Sequence, residues 1–355
     1  MKIVVVIPSL NKGGAERVVS VLSKEWVKKN EVKIIVFNGS NLSYSFGGDI
    51  IDLNLPAQGG IFPKILQFIR RSIKIARILR RENPDYIISF MESANLPSIL
   101  SAYFTGKLNK LTVSVHAGSA SMLKLYNILI PYLYRYPHQI IVVSKGIFTT
   151  LIKMGVPKKK IKIINNPLPA SAPVISKPLP RPNDTLKNYI LGVGRLDKNK
   201  GFDLLIEAFS NIPDKNMHLV ILGEGKERKK LESIISNKNL SDRIHLYGLV
   251  NDIWPWYRHS RCFVSSSLME SWGNSIIEAM SQGCPVVAFD CDYGPREIII
   301  DGQNGLLVKL NDINSLTNNI SRLLVDSELS NKIRYNGLLR SLEFDSKNIS
   351  LQWLT

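Results

Sequence analysis

With 355 residues, 45% of them hydrophobic and 21% charged, the chain is too apolar to stay disordered and too long for one small core, so two folded domains are expected. Its three cysteines, Cys262, Cys284 and Cys291, show no CxxC or Cys/His spacing, which argues against a disulfide framework or a zinc site and fits a reducing cytoplasm. The net charge of +17 sits in the first half: residues 1–177 hold 25 Lys/Arg against 8 Asp/Glu, residues 178–355 hold 21 of each, so an anionic partner is expected on the first half.

The first apolar run, 3–7, reads as a buried strand, too short and too soon followed by polar residues to be a secretory signal. Gly13-Gly14-Ala15-Glu16 follows, then apolar residues at helical spacing from Val18. Paired glycines let a backbone approach a ligand and a helix start offers N–H groups to an anion, although a glycine turn there is equally an ordinary structural device. A second strand is expected at 32–37. Residues 61–82 carry Arg70, Lys74, Arg77 and Arg81 at i, i+4, i+7 and i+11, with Ile65, Ile69, Ile73 and Ala76 on a second stripe. That spacing predicts a basic amphipathic helix whose apolar stripe suits either the core or a membrane surface. Strands are expected at 86–90, 111–115 and 140–143, with His116 just past the second of these. Tyr126, Tyr132, Tyr134 and Tyr136 lie among leucines and isoleucines of 123–137, a composition that suits a headgroup boundary. No run reaches the eighteen or more apolar residues that would cross a bilayer.

Five prolines between 169 and 182 mark an exposed linker, 169–188, between a first domain at 1–168 and a second at 189–340, and 341–355 is expected as a terminal helix returning to the first domain. Strands are expected at 189–193, 218–222, 244–247, 262–265 and 285–289. Alternation of β-branched runs with helical patterns in both halves predicts βαβ units, parallel sheets and ligands beyond the carboxyl ends of the strands.

The chemistry-bearing residues fall at such ends. Gly194-Arg195-Leu196-Asp197-Lys198-Asn199-Lys200-Gly201 opens the second half, and Arg195 with Lys200 would place two cations on one anion, as a diphosphate leaving group requires. Farther on, Glu270 and Glu278 flank a helix start for which Asn274 is the expected N-cap, Gly283 the C′ residue and Pro285 the stop. Two carboxylates beside backbone donors suit vicinal hydroxyls and phosphate. Asp290-Cys291-Asp292 spells a D-x-D, read here as a polar loop and not a metal site.

The order of GGAE, GRLDKNKG, LGEG and Glu270-x7-Glu278 followed by GCPVV resembles family 4 of the retaining GT-B glycosyltransferases, from about residue 3 to residue 340. Among these it is most similar to bacterial enzymes that extend lipid-linked surface polysaccharides such as O-antigen and capsule. The resemblance implies an α/β GT-B architecture, two Rossmann-like doubly wound parallel-sheet domains facing a cleft, the first on the acceptor side. It implies that Arg195 and Lys200 bind the donor diphosphate, Glu278 the ribose and Glu270 the transferred sugar. Gly273, Asn274 and Ser275 would touch the phosphates, Gly223, Glu224, Leu249 and Val250 would border the base, and Gly13, Gly14 and His116 would approach the donor from the first domain. Ser271 stands where the family usually has glycine, which bears on loop shape and sugar preference. Further implications are a nucleotide-sugar donor with UDP favoured on family frequency, a lipid-linked acceptor, and no metal or other cofactor. The basic stripe of 61–82 and the tyrosines of 123–137 lead to the expectation of peripheral attachment to the cytoplasmic face of an anionic membrane and of a polyprenyl-diphosphate-linked acceptor. A sugar-nucleotide epimerase of the same fold is the alternative. A nicotinamide dehydrogenase lacks its third glycine after Gly192-Val193-Gly194, and a nucleic-acid partner finds no recognised module here.

Overall fold

Short, almost purely apolar strands buried on both faces, such as Ile3 to Ile7, can sit only inside parallel sheets covered by helices on each side. The computed structural model describes every residue except 12, 41, 57–60, 117–123, 170, 171, 174, 184 and 185, and only the backbone of 61, 62 and 124–127. The chain forms two units, Met1–Ala170 with Ser346–Thr355, and Ser171–Asp345.

In unit 1, β1 (Lys2–Ile7), β2 (Glu31–Val36), β3 (Asp49–Asp52), β4 (Tyr86–Phe90), β5 (Leu111–Val115), β6 (Gln139–Val142) and β7 (Ile161–Ile163) lie in the order β3-β2-β1-β4-β5-β6-β7, every pair parallel. In unit 2, β8 (Tyr189–Val193), β9 (His218–Leu222), β10 (Ile244–Gly248), β11 (Cys262–Ser265), β12 (Val286–Asp290) and β13 (Leu306–Lys309) lie in the order β10-β9-β8-β11-β12-β13, again parallel. Each sheet is wound outward from its first strand in one direction and then the other. The winding reverses between β1 and β4, and between β8 and β11, which opens a crevice at the carboxyl ends of those strands.

The expected fold class is the observed one, and the expected strands are present to within a residue at most ends. Three strands escaped the sequence reading. β3 is an edge strand, Asp-Ile-Ile-Asp, with exposed ends; β7 has three residues, and β13 has four. Runs so short carry too little periodicity to be separated from loop.

Helix α1 (Gly14–Trp26) follows β1, and α2 (Ile61–Glu82) packs on α3 (Glu92–Phe104). The buried face of α2 is Gln67, Ser72, Ile75, Ile78, Leu79 and Glu82. Its polar members are satisfied internally: Gln67 donates to Pro56 O, Ser72 to Phe68 O, and Glu82 accepts from Lys33 at 2.6 Å. Ile65, Ile69 and Ile73 therefore stand outside the core, each about half exposed, on the same helix as the basic stripe. Of the four tyrosines near α4 (Lys124–Leu133), Tyr132 and Tyr136 are exposed, Tyr134 is fully buried, and the side chain of Tyr126 lies outside the described residues.

The last helix, α13 (Ser346–Gln352), belongs to unit 1 and packs on α1. Trp26 Nε1 donates to Ser350 O at 3.1 Å, and Trp353 stacks on Phe90 with ring centroids 5.1 Å apart. The proline-rich segment at 173–179 belongs to unit 2. Prolines offer no N–H, so the segment is fastened by its carbonyls: Arg258 donates to Ile175 O and Lys177 O, and Gln282 to Pro173 O. Among the described residues no helix is long and apolar enough to cross a membrane.

Because Trp353 is 2% exposed and contacts both Trp26 and Phe90, Trp353→Ala is expected to cost about 3–5 kcal/mol of stability. Urea denaturation followed by fluorescence checks this; an unchanged midpoint and slope would contradict it.

Candidate functional site

At the reversal point of unit 2 the segments after β8 and β11 meet. Beyond β8, Asp197 caps a 3-10 turn, Lys198–Lys200, by accepting from the Asn199 amide at 3.1 Å. Gly201 ends that turn at φ +56 and is also the N-cap of α6 (Phe202–Ser210). A side chain at this position would run into the Ser266 carbonyl oxygen, so only glycine lets the two segments touch. Ser266 Oγ in turn donates to Lys200 O at 2.8 Å, and the Leu268 amide donates to Asn199 O at 2.8 Å. The loops are thus stitched backbone to backbone.

The stitching aims Lys200 at Glu270. Lys200 Nζ forms an ion pair with Glu270 Oε1, which also accepts from Ser267 Oγ at 2.8 Å; both charged side chains are largely withdrawn from solvent. An ammonium has three protons, so Lys200 can keep Glu270 and still donate to a ligand. Arg195 differs. Its side chain is 75% exposed and pairs with Asp197 at 2.7 Å, a surface bridge of little stability that a diphosphate could readily redirect.

Glu278 lies in α9 (Asn274–Ser281), 3% exposed, and accepts from Tyr257 OH at 3.1 Å. The N-cap of α9 is Gly273 and not Asn274. Gly273 has φ +109, a left-handed backbone that asparagine enters at a cost, so the cap falls one residue earlier than expected and Asn274 is the first helical residue. Asn274 and Ser275 then belong to the first turn of the helix, the end that favours an anion. Gly283, at φ +64 after the C-cap Gln282, holds the expected C′ position.

On the other side of β8, Gly223 (φ +141) brings the 223–225 loop against the Gly194 carbonyl, closer than any side chain would permit. Glu224 is taken up by Arg228, whose Nη2 lies 2.7 Å from its Oε1, so its carboxylate acts within the loop. Leu249 is exposed and Val250 half-buried just past β10. Asp290 pairs with Arg296 at 2.7 Å, and among the described residues no three His, Cys, Asp or Glu gather where they could hold a metal.

Three supporting residues escaped the sequence reading. Ser266 and Ser267 join the two loops, and Tyr257 orients Glu278. The serine run closing β11 was the available signal for the first two.

In unit 1, Gly13 is the N-cap of α1 with extended backbone, φ −150, so neither glycine is demanded by a left-handed turn. The Glu16 carboxylate folds back over Gly13, close to the helix start where an anion was expected. His116 is half-buried past β5, its Nε2 2.9 Å from Ser114 Oγ and its ring 5.6 Å from that of Phe90. Burial pushes its pKa down to about 4, which leaves a neutral imidazole near pH 7.

Residues 12–171 match the sequence model of Glycosyltransferase Family 4, and residues 178–340 that of Glycosyl transferases group 1. The N-acetylgalactosamine-N,N'-diacetylbacillosaminyl-diphospho-undecaprenol 4-alpha-N-acetylgalactosaminyltransferase of Campylobacter jejuni is 30% identical over 98% of this chain and 97% of its own length. The chain belongs to the family 4 glycosyltransferases. A second C. jejuni relative of this glycosyltransferase, GalNAc-alpha-(1->4)-GalNAc-alpha-(1->3)-diNAcBac-PP-undecaprenol alpha-1,4-N-acetyl-D-galactosaminyltransferase, is 24% identical over 100% and 97% of the two chains. The crystal structure of Anabaena Alr3699/HepE in complex with UDP and glucose superposes with a TM-score of 0.83 over 100% of this chain and 98% of that one, at 20% identity, a likeness of fold. The fold of this glycosyltransferase is GT-B, and the epimerase alternative falls away.

Two measurements follow from the geometry. Lys200→Ala is expected to lower turnover at saturating donor by about 10²-fold or more, because leaving-group charge grows in the transition state; an unchanged turnover with only a raised KM for donor would contradict it. For His116, the folded pKa lies below the unfolded value of 6.5, so the unfolded chain binds the extra proton and stability falls as pH drops from about 6.5 to about 4. His116→Asn should flatten that part of the stability–pH curve, which urea midpoints across this range will check.

Proposed function

We propose that this glycosyltransferase transfers a hexose or N-acetylhexosamine, with retention at the anomeric carbon, from a nucleotide sugar to a saccharide carried on a polyprenyl diphosphate, in the assembly of a cell-surface polysaccharide. UDP is the favoured nucleotide, no metal ion takes part, and the enzyme works on the cytoplasmic face of an anionic membrane. The observation that carries this reading is the near full-length relative at 30% identity whose name gives a diphospho-undecaprenol saccharide as its acceptor.

The chemistry follows from unit 2. As the bond between anomeric carbon and phosphate breaks, negative charge builds on the diphosphate. Lys200 and the first turn of α9 answer it without reorganising, and Arg195 does so once the diphosphate draws it from Asp197; fixed donors are worth about 10²–10³ in rate each. Glu270, already held by Lys200 and Ser267, takes hydroxyls of the transferred sugar, and Glu278 takes those of the ribose. Gly13, Gly14 and His116 remain assigned to the donor by family resemblance. The acceptor hydroxyl attacks on the leaving-group face and its proton passes to the diphosphate. Two protein cations stand in the role that a divalent ion fills elsewhere.

The membrane reading draws on unit 1, which carries 25 Lys/Arg against 8 Asp/Glu, and on α2, where half-exposed Ile65, Leu66, Ile69 and Ile73 accompany the cations. Lys74 donates to Leu53 O at 2.7 Å and Arg81 pairs with Glu82 at 2.8 Å, so two of the four stripe cations are partly engaged. At about 1 kcal/mol for each cation near an anionic leaflet, the stripe contributes roughly 2–4 kcal/mol.

Sedimentation with anionic and neutral vesicles is expected to show at least a thirty-fold weaker affinity for anionic vesicles when Arg70, Lys74, Arg77 and Arg81 are changed to Gln; equal binding of both proteins to both vesicle types would reject membrane attachment. Turnover is expected to persist in EDTA, and its loss with recovery on adding manganese would overturn the metal-free mechanism.

A further inference from the structure

Unit 1 repeats the winding that brings the two loops of unit 2 together, and the segment that leaves β4 there corresponds to the one that leaves β11. Its residues are Phe90, Met91 and Glu92. Phe90 is held on two sides, by Trp353 stacked at 5.1 Å and by the His116 ring at 5.6 Å. Met91 then takes φ +73 and ψ +147, a conformation that only glycine enters freely and that costs about 1–3 kcal/mol. The kink is fastened at both ends: the Met91 amide donates to Ser114 O at 3.3 Å, and its carbonyl accepts from the amides of Ala94 and Asn95 at 3.0 and 2.8 Å.

The effect is to begin α3 with a carboxyl group turned inward. Glu92 is 8% exposed, and its Oε1 is buried with no hydrogen-bond partner among the described residues. One helical turn on, Asn95 is fully buried; its Nδ2 donates to Ser114 O and to Tyr134 OH, both at 2.9 Å, while its Oδ1 receives nothing. Both orphans are acceptors, so the partner that is missing is a hydrogen-bond donor, a role that a saccharide hydroxyl fills. Burial without a counter-charge pushes the Glu92 carboxyl up to about 7. An acid in a first helical turn ordinarily stabilises through the helix dipole. Here the burial opposes that benefit, and retaining such a group at a strand-end crevice points to a ligand.

We propose that Glu92 binds the acceptor, its carboxyl accepting a hydrogen bond from a saccharide hydroxyl at the carboxyl end of β4. The assignment rests on the glycosyltransferase reading with a saccharide acceptor, and it adds a residue of unit 1 that neither the motifs nor the relatives' names single out.

The test uses the full-length enzyme and the variants Glu92→Gln and Glu92→Asp. Initial rates are measured with varied lipid-linked saccharide at saturating donor, with varied donor, and without acceptor to follow hydrolysis of the donor; melting temperatures are recorded alongside. Measured at pH 8, where the wild-type carboxyl is ionised, the expected result is a ten- to hundred-fold loss of kcat/KM for acceptor in Glu92→Gln, which keeps a carbonyl acceptor but loses the charge, with a smaller loss in Glu92→Asp. Donor KM and donor hydrolysis should stay within about twofold of wild type, and the melting temperature should not fall. Acceptor kcat/KM within twofold of wild type in Glu92→Gln would overturn the proposal, as would matched losses for donor and acceptor with a lowered melting temperature, the mark of a structural group or a bound water. A wild-type enzyme that hydrolyses donor yet transfers to no lipid-linked saccharide would sink the acceptor reading itself.

Discussion

The ion pair between Lys200 and Glu270 is the contact around which unit 2 is arranged. Seventy residues separate the two, and they meet because β8 and β11 are neighbours at the point where the sheet reverses its winding. A lysine and a glutamate withdrawn from solvent are costly to leave unpaired, so each fixes the other. The surrounding features serve that approach: Gly201 removes the side chain that would hold the loops apart, and Ser266 and Ser267 tie the loop after β11 to the backbone and carboxylate it must reach. What results is a cation held in place before any substrate arrives, the condition under which electrostatic stabilisation of a leaving group is most effective.

Unit 1 shows the same winding put to a different use. There Phe90 is fixed between aromatic rings, and an inward carboxyl follows it. The stack depends on Trp353, so the last ten residues of the chain help to shape the far end of β4, which precedes them by more than 250 residues. The charge division follows the same line. Unit 2 is electrically balanced, with 21 Lys/Arg and 21 Asp/Glu, while unit 1 holds the whole excess.

The sequence disclosed most clearly what is enforced locally. Gly283 marks a left-handed C′ position, the Gly194-to-Gly201 motif marks a turn before a helix, and β-branched runs mark the central strands, because each depends on residues close in the chain. Partnerships across the sheet left no such trace. Nothing near Glu270 in sequence indicates Lys200 as its partner, and nothing near Glu278 indicates Tyr257. The N-cap of α9 was misplaced by one residue because asparagine is the better cap by residue type, whereas the backbone there demands glycine. On α2 two stripes are legible in the sequence, but not which of them faces inward; polar Gln67 and Ser72 are buried because neighbouring carbonyls satisfy them, and the isoleucines are left outside.

The central claim is that the reversal point of unit 2 receives the donor diphosphate. Hydrogen–deuterium exchange of the full-length protein with and without UDP tests it most directly, since bound phosphate should slow exchange of the amides it orders. The account predicts protection in peptides covering residues 194–201 and 266–278; protection confined to other segments, or none at a saturating concentration of UDP, GDP or ADP, would contradict it.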